Sequence, residues 1–196
     1  MQKPQLTLVA KAVGDTGVLT NMGQIAFAAV IDPKENLNGE MKFSCVFLFE
    51  KGSDTHNELK RAATAAAKAK WGDKIPADLR NPIRDGSEKE YEGFAGMLYI
   101  SPTAKKKPGI VDQRNKPVTS DDVIYSGCWV RVHVNAFAYD QKGNKGVSFG
   151  LENIQVLGDG DPFSGRKRAD QVFQPVVDAG NPFPKGEDED EAASLF

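Results

Sequence analysis

Residues 128–139 read CWVRVHVNAFAY, and this stretch decides the fold. Every second residue from Cys128 onward is small and apolar, whereas the alternate positions are aromatic, polar or basic. Alternation with period two is typical of a β-strand that has one face in the core and the other exposed. The pattern predicts a strand whose apolar face lines a barrel interior. The opposite face then carries Trp129, Arg131, His133, Asn135, Phe137 and Tyr139.

Strand patterns recur on both sides of this stretch. They cover residues 5–13, 24–31, 41–50, 91–100 and 146–157, and the second of them ends at Asp32-Pro33. Residues 140–146, DQKGNKG, have the composition of a hairpin turn.

One helix is predicted after the third strand. It would begin with Thr55 as N-cap and Glu58 at the third helical position, continue through an alanine-rich run, and end at Gly72. Three strands, a helix and two or three further strands are the element order of the oligonucleotide-binding (OB) fold, a five-stranded Greek-key barrel. The fold class is therefore mainly β, although the strand count alone also permits a sandwich. The helix is expected to cover one end of the barrel rather than to contact DNA.

Composition divides the 196-residue chain into three parts. Residues 1–157 contain every predicted element and form the domain. Residues 158–186 are rich in glycine and proline and predict an extended arm. Residues 187–196 begin with five consecutive acids and predict a disordered tail.

The charge is distributed unevenly between these parts. The chain has 25 Lys and Arg against 27 Asp and Glu, a net charge of −2, and without the five tail acids the net charge is +3. A basic body with an acidic end indicates a protein that handles polyanions. The longest apolar run, residues 25–31, is too short to cross a membrane. Without a signal-peptide pattern, the two cysteines are expected to be reduced thiols in a cytosol.

Basic side chains cluster in loops beside the aromatic strand face. Flat rings together with cations are what single-stranded nucleic acid requires, because bases stack on the rings and phosphates are neutralised by the cations. Each lysine could also be merely solvated, and the aromatic residues could lie beneath the helix or the arm. The basic candidates are Lys105, Lys106, Lys107, Arg114 and Lys116, then Lys142 and Lys145, then Arg166, Lys167 and Arg168.

Patterns for catalysis are weak. The cysteines and the two histidines lack zinc-site spacing, and no glycine-rich phosphate loop precedes the helix. Asp121 and Asp122 are adjacent carboxylates that more simply start a strand before Tyr125, and Cys128 is expected to be buried and inert. No catalytic residue, metal or cofactor is predicted.

Three blocks of the sequence resemble a signature of tailed-phage single-stranded DNA-binding proteins. They are residues 123–131 (VIYSGCWVR), residues 139–147 (YDQKGNKGV) and residues 149–155 (FGLENIQ), and Gly160-Asp161-Pro162 and Gly165-Arg166 also fit. The resemblance implies an OB-fold that coats single-stranded DNA during phage replication, recombination and repair, in the cytoplasm of the infected bacterial host.

The C-terminus is similar to the acidic tails of coliphage and bacterial single-stranded DNA-binding proteins. Those tails end in an aromatic residue, which implies recruitment of replication proteins such as a DNA polymerase. The residues concerned are Glu187, Asp188, Glu189, Asp190, Glu191, Leu195 and Phe196.

The sequence therefore predicts a non-enzymatic, sequence-tolerant binder of single-stranded DNA. Three alternatives remain open: an RNA-binding barrel, a metal-dependent nuclease that uses Asp121 and Asp122, and a structural phage protein without a nucleic-acid role. The oligomeric state is also open, with a homodimer as one alternative.

Overall fold

The computed structural model describes residues 3–36, 38–120, 122–141, 143–163 and 172. Contacts divide the chain into a unit of Met1–Arg166 and a unit of Lys167–Phe196, and every element named below belongs to the first. Within the described ranges, no helix is long and apolar enough to span a membrane.

Strands of 2 to 15 residues and one helix of 18 residues follow one another along the described part of the first unit. In chain order they are β1 (Lys11–Val13), β2 (Gly17–Leu19), β3 (Gly23–Glu35), β4 (Met41–Glu50), α1 (Asp54–Trp71), β5 (Arg84–Asp85), a 3₁₀ turn (Gly86–Glu88), β6 (Met97–Ile100), β7 (Thr103–Ala104), β8 (Gly109–Val111), β9 (Trp129–Gln141) and β10 (Asn144–Gly158).

The strand pairings form a closed circuit. β3 pairs with β4, and β4 pairs with β6 and β7, all antiparallel. β7 meets β10 in parallel at Thr103 and Gly150, and β10 forms a long antiparallel hairpin with β9. β9 returns to the start of β3, where Gly23 faces Val130. The circuit has five positions, because β6 and β7 share one, so the predicted five-stranded barrel is confirmed.

The barrel interior contains the apolar face predicted from residues 128–139. Cys128, Val130, Val132 and Val134 are fully buried in the same cluster as Phe47 and Phe49 of β4. Burial raises the pKa of the Cys128 thiol to about 12, so this cysteine is protonated at neutral pH, as an inert core residue would be.

Helix α1 packs its apolar face on this core, mainly against β9. The predicted N-cap, Thr55, is wrong: Ser53 caps the helix by accepting a hydrogen bond from His56 N. Thr55 is buried, and its hydroxyl accepts a hydrogen bond from Asn21 N instead. Glu58 pairs with Arg61 rather than completing a capping box.

The first predicted strand is shorter than expected. Of residues 5–13 only Lys11–Val13 form a strand, which turns at residues 14–16 into the unpredicted β2. Helix α1 still follows the third predicted strand, which is the fourth strand along the chain. Pro33 does not end β3, which continues to Glu35. A proline is tolerated at this position because the pairing of β3 with β4 is interrupted between Ala29 and Lys34.

Two other predicted strand starts are also corrected. Residues 91–96 form turns, because Gly93 and Gly96 adopt left-handed φ angles of 80° and 74°, and β6 begins only at Met97. Asp122 and Val123 lie in a turn, so the described residues immediately before Tyr125 do not form the predicted strand.

The segment after β10 packs on the loop before β9. Phe163 N donates to Ser126 O at 3.1 Å, and a Cβ atom on Gly127 would lie 2.1 Å from Asp161 O. Only a glycine permits this approach. Of the predicted arm, the structure describes residues 158–163 and 172, and Gly158 is the last residue of β10. The boundaries at 157 and 186 stay predictions.

Candidate nucleic-acid interface

The outward side chains of β9 lie in register with polar side chains of β10. Arg131 faces Gln155, and its Nε donates to Gln155 Oε1 at 2.8 Å. His133 faces Asn153, with 3.2 Å between His133 Nδ1 and Asn153 Nδ2. These contacts hold a cation and an imidazole, both half-buried, in the plane of the outer face.

The loop at residues 112–116 is fixed to the same place through Gln155. Gln155 Nε2 donates to Asp112 O at 3.0 Å and to Asn115 Oδ1 at 3.1 Å. The Asp112 carboxylate in turn accepts from Lys116 N at 2.9 Å and Arg114 N at 2.7 Å. The hydrogen bond from Lys116 N, assisted by the one from Arg114 N, holds the pKa of Asp112 below its usual value. The loop that carries the exposed residues Arg114 and Lys116 is thereby held against Gln155, the hydrogen-bond partner of Arg131.

Trp129 lies at the end of this face, against the N-terminal segment. Lys3 Nζ is 5.5 Å from the centre of the indole ring, and Pro4 packs against Gly158, which pairs with Trp129. The indole Nε1 is buried and has no hydrogen-bond partner among the described residues. Trp129 is therefore half-buried, and Lys3 adds a cation beside it.

The other aromatic candidates lie toward the β9–β10 hairpin. Phe137 faces Ser148 and is 44% exposed. Tyr139 is half-buried against Gly146, and Lys145 Nζ lies 3.8 Å from Asp140 Oδ2, which partly neutralises that lysine.

The predicted site is thus divided between two ends of one strand face. Lys105, Lys106 and Lys107 are exposed in the loop between β7 and β8. Because Thr103 pairs with Gly150 and Gly109 pairs with Asn153, this loop lies across β10 from Asn135 and His133, whereas the hairpin lies at the Tyr139 end. Between the ends is Asn135, whose Oδ1 accepts from Thr16 Oγ1 at 2.8 Å. The two loops flank the face, and six residues of strand, about 20 Å, separate His133 from Tyr139.

Comparison with known proteins gives the family. Residues 16–190 match the family model of the single-stranded DNA-binding protein of Enterobacter phage Enc34. The chain belongs to this family. Protein p50 of Acyrthosiphon pisum secondary endosymbiont phage 1 is 36% identical over 157 residues, which cover 74% of this chain and 85% of p50.

Solved structures of phage single-stranded DNA-binding proteins share the fold of this family member. The Enc34 protein in complex with single-stranded DNA superposes with a TM-score of 0.65 at 21% identity, covering 80% of this chain and 98% of that one. The bacteriophage T7 protein gp2.5 gives a TM-score of 0.53 at 13% identity, covering 77% and 90%. The predicted OB-fold and the resemblance to phage single-stranded DNA-binding proteins are confirmed.

Some candidates lie outside the described residues. They are Lys142, Arg166, Lys167 and Arg168, the tail residues Glu187, Asp188, Glu189, Asp190, Glu191, Leu195 and Phe196, and Asp121 of the carboxylate pair. Across the ranges that the structure does describe, no three His, Cys, Asp or Glu side chains group as metal ligands would.

Sequence reasoning missed the residues that position the basic side chains. Asn153 and Gln155 are two residues apart on β10, opposite His133 and Arg131. Extending the hairpin register backward from residues 140–146 would have placed Glu152 and Ile154 there, because a bulge between Leu151 and Asn153 shifts the pairing by one residue. The sequence likewise carries no signal for Lys3, because its contact with Trp129 depends on the path of an irregular segment.

Proposed function

We propose that this family member binds single-stranded DNA along the outer face of β9, without strong preference for sequence and without catalysis. The observation that carries the proposal is the hydrogen-bonded network centred on Gln155. It fixes Arg131, and it holds the loop that carries Arg114 and Lys116, at a face that also presents aromatic rings. Fixed cations attract phosphates, and exposed rings accept any base because every base has a π-face.

In this arrangement the two kinds of side chain have different roles. Phe137, with Tyr139 and the accessible edge of Trp129, stacks bases. Arg131, His133, the cations of residues 105–116 and those of the hairpin neutralise phosphates, and Arg166, Lys167 and Arg168 extend the basic surface. No array of fixed donors and acceptors that would read base edges is evident on this face, which favours sequence-tolerant binding.

The biological role that follows is protection of unwound strands during phage DNA replication, recombination and repair, in the cytoplasm of the infected bacterium. The acidic residues 187–191, with Leu195 and Phe196, recruit replication proteins such as a DNA polymerase. The family membership supports the DNA-binding part of this role, and the tail composition supports the recruiting part. Sedimentation measurements test the homodimer that the sequence leaves open as an alternative.

The test is a titration of labelled oligonucleotides of increasing length at several salt concentrations. Log affinity for single strands should fall with log salt by roughly −0.7 per phosphate contact. The Arg131→Gln variant should lower both the affinity and this slope, whereas Lys51→Gln, an exposed lysine in the turn between β4 and α1, should change neither.

Three outcomes would contradict the proposal. A salt-independent affinity would remove the role of the cations. Tighter binding to RNA of the same sequence would favour the RNA-binding alternative, since the two ligands differ mainly in the 2′-hydroxyl. Cleavage of the DNA with Mg²⁺ or Mn²⁺, lost on substitution of Asp122, would favour the nuclease.

A further inference from the structure

Two exposed aromatic rings lie together on a part of the barrel that the proposed interface does not include. Phe27 of β3 and Tyr91 of the loop before β6 are 52% and 54% exposed. Their ring centres are 5.0 Å apart at an interplanar angle of 73°, an edge-to-face contact. An exposed aromatic pair of this size has a rim of bare ring surface that water solvates poorly.

The backbone of Phe27 is in a conformation that a phenylalanine rarely adopts. Its φ angle is +50°, in the left-handed region, within the register shift that interrupts the pairing of β3 with β4. Phe27 N donates to Ser126 Oγ at 3.0 Å, which fixes the conformation. Such strain in a non-glycine residue costs conformational energy and is typical of functional positions. Here its effect is to turn the ring outward.

Buried aromatic rings support the pair from below. Phe94 is 2% exposed, and its ring centre lies 6.1 Å from that of Phe27 and 5.5 Å from that of Tyr91. Tyr99, 5.6 Å from Phe94, completes a small cluster with Ala26 and Leu48 that is separate from the barrel core. The outer rings therefore rest on a packed base and lose little conformational freedom when a ligand contacts them.

The sheet register connects this pair to the proposed interface. Ala26 pairs with Val46 beside the rings, and the next outward row contains Ser44, Thr103 and Gly150. Gly150 is opposite Asn135 on the outer face of β9. Small side chains thus form a continuous shallow surface from Phe27 to β9.

The charges around the rings disfavour a phosphate at the rings and attract it to one side of them. Glu90 and Glu92 flank Tyr91 and disfavour a phosphate there. In the other direction along the β3–β4 face, Lys34 lies opposite Lys42 in the register beyond Ser44. Lys42 Nζ is 2.6 Å from Glu40 Oε2, which partly neutralises that lysine, and with Asn36 and Lys105 it lowers the pKa of the Glu40 carboxyl. Lys34 and Lys105 are therefore the cations on this side of the rings. A nucleotide strand would therefore place its backbone toward the lysines and its base toward the rings.

We infer that Phe27 and Tyr91 form a second base-stacking site, on which an unpaired base of the bound single strand stacks after the strand has crossed the β4–β7–β10 surface. The inference rests on the proposed function and extends it from the β9 face to the β3–β4 face. It makes the bound strand longer and gives it a bend across the barrel.

The test uses the full-length protein and a labelled oligothymidylate. Phe27→Gly removes the ring and supplies a residue that adopts the left-handed conformation without strain. Its melting temperature should stay near that of wild type while the affinity for single-stranded DNA falls roughly 5- to 150-fold. Tyr91→Ala should lose affinity by a similar factor, and Tyr91→Phe, which keeps the ring, should retain it.

A matched control and a direct readout complete the design. Ile75→Ala truncates an apolar residue that is 39% exposed in the loop after α1, and it should leave the affinity unchanged. Single-stranded DNA that carries iodouracil should photocrosslink to the peptide containing Phe27 or Tyr91, identified by mass spectrometry.

The outcomes separate this inference from the proposed function. If wild type shows no salt-dependent binding of single strands, the proposed function fails. If wild type binds and both ring-removing variants bind as tightly, only the second stacking site is overturned. It is also overturned if Phe27→Gly melts far below wild type while its folded fraction keeps full affinity, because the rings then serve only to cover Phe94.

Discussion

Phe137 is the residue whose position best separates a binding role from a packing role. It is 44% exposed on the outer face of β9, so removing its ring loses less buried surface than removing a core ring. If a base stacks on it, Phe137→Ala should weaken single-stranded DNA binding by roughly 1–3 kcal/mol, with a smaller loss in the free energy of unfolding than a core substitution causes. Fluorescence titration and urea unfolding of the same preparation measure both quantities.

Phe149 supplies the matched control for this substitution. It lies on the neighbouring strand β10 but is 1% exposed, in the core. Phe149→Ala should therefore lower the free energy of unfolding by roughly 3–5 kcal/mol. A similar loss of stability in Phe137→Ala, with unchanged affinity of its folded fraction, would mean that the ring is a packing residue.

At this scale, the sequence predicted which side chains share a face but not the contacts that hold them. Parity along residues 128–139 predicted which side chains share the outer face, because alternation and burial have the same geometric origin. It could not predict that Lys3 lies over Trp129 or that Gln155 holds Arg131. Those contacts depend on where segments far apart in the sequence meet.

At the scale of elements, the loop of residues 112–116 links acid stability to the interface. The pKa of Asp112 is lowered in the folded protein, so its contribution to stability is present above its unfolded pKa of about 4 and is lost as the pH falls through the lower folded value. Asp112→Asn removes the charge. The difference in free energy of unfolding between wild type and this variant should be constant above about pH 5 and should narrow below about pH 4.

Urea unfolding across a pH series measures this difference, and DNA affinity at neutral pH gives a second reading. The variant should also bind single strands more weakly, because the loop carries Arg114 and Lys116 and is held against Gln155, the hydrogen-bond partner of Arg131. Glu152→Gln, which removes an exposed carboxylate on β10, serves as the control. If the difference in free energy of unfolding between wild type and Asp112→Asn stays constant below pH 4, the loop is not held by this carboxylate.

Elements with strict alternation were predictable almost to the residue. Strand β4 has the predicted bounds, and β9 and β10 differ from prediction by one or two residues at their ends. The errors fall where glycine turns interrupt an otherwise strand-like composition, as at Gly93 and Gly96, or where a neighbouring element uses a capping residue, as at Thr55. Local composition does not distinguish these cases.

For the whole molecule, the acidic tail should weaken DNA binding electrostatically. Removing residues 187–196 changes the net charge from −2 to +3. The truncated protein should bind single strands more tightly at low salt, and the difference should shrink as salt screens the charges. Titrations of both proteins at two salt concentrations measure the effect.

Deletion of Phe196 alone is the control, because it removes no side-chain charge. DNA affinity should then be unchanged, whereas capture of a replication protein such as a DNA polymerase should weaken. If the tail-less protein binds DNA no more tightly than the full chain at low salt, the electrostatic role is wrong.

The way in which the barrel closes has a consequence for how the chain folds. The hairpins β3–β4 and β9–β10 join neighbouring stretches of chain, so each forms with a small loss of loop entropy. The two seams that join them are short and connect distant segments: β3 meets β9 at Gly23 and Gln24, and β7 meets β10 at Thr103 and Gly150. Such non-local pairings are slow steps because the chain loses loop-closure entropy before the new contacts stabilise the structure. We therefore expect two preformed hairpins to dock late, with the ring closing last along the line where Gly23 and Val130 meet, because that pairing joins the more distant segments.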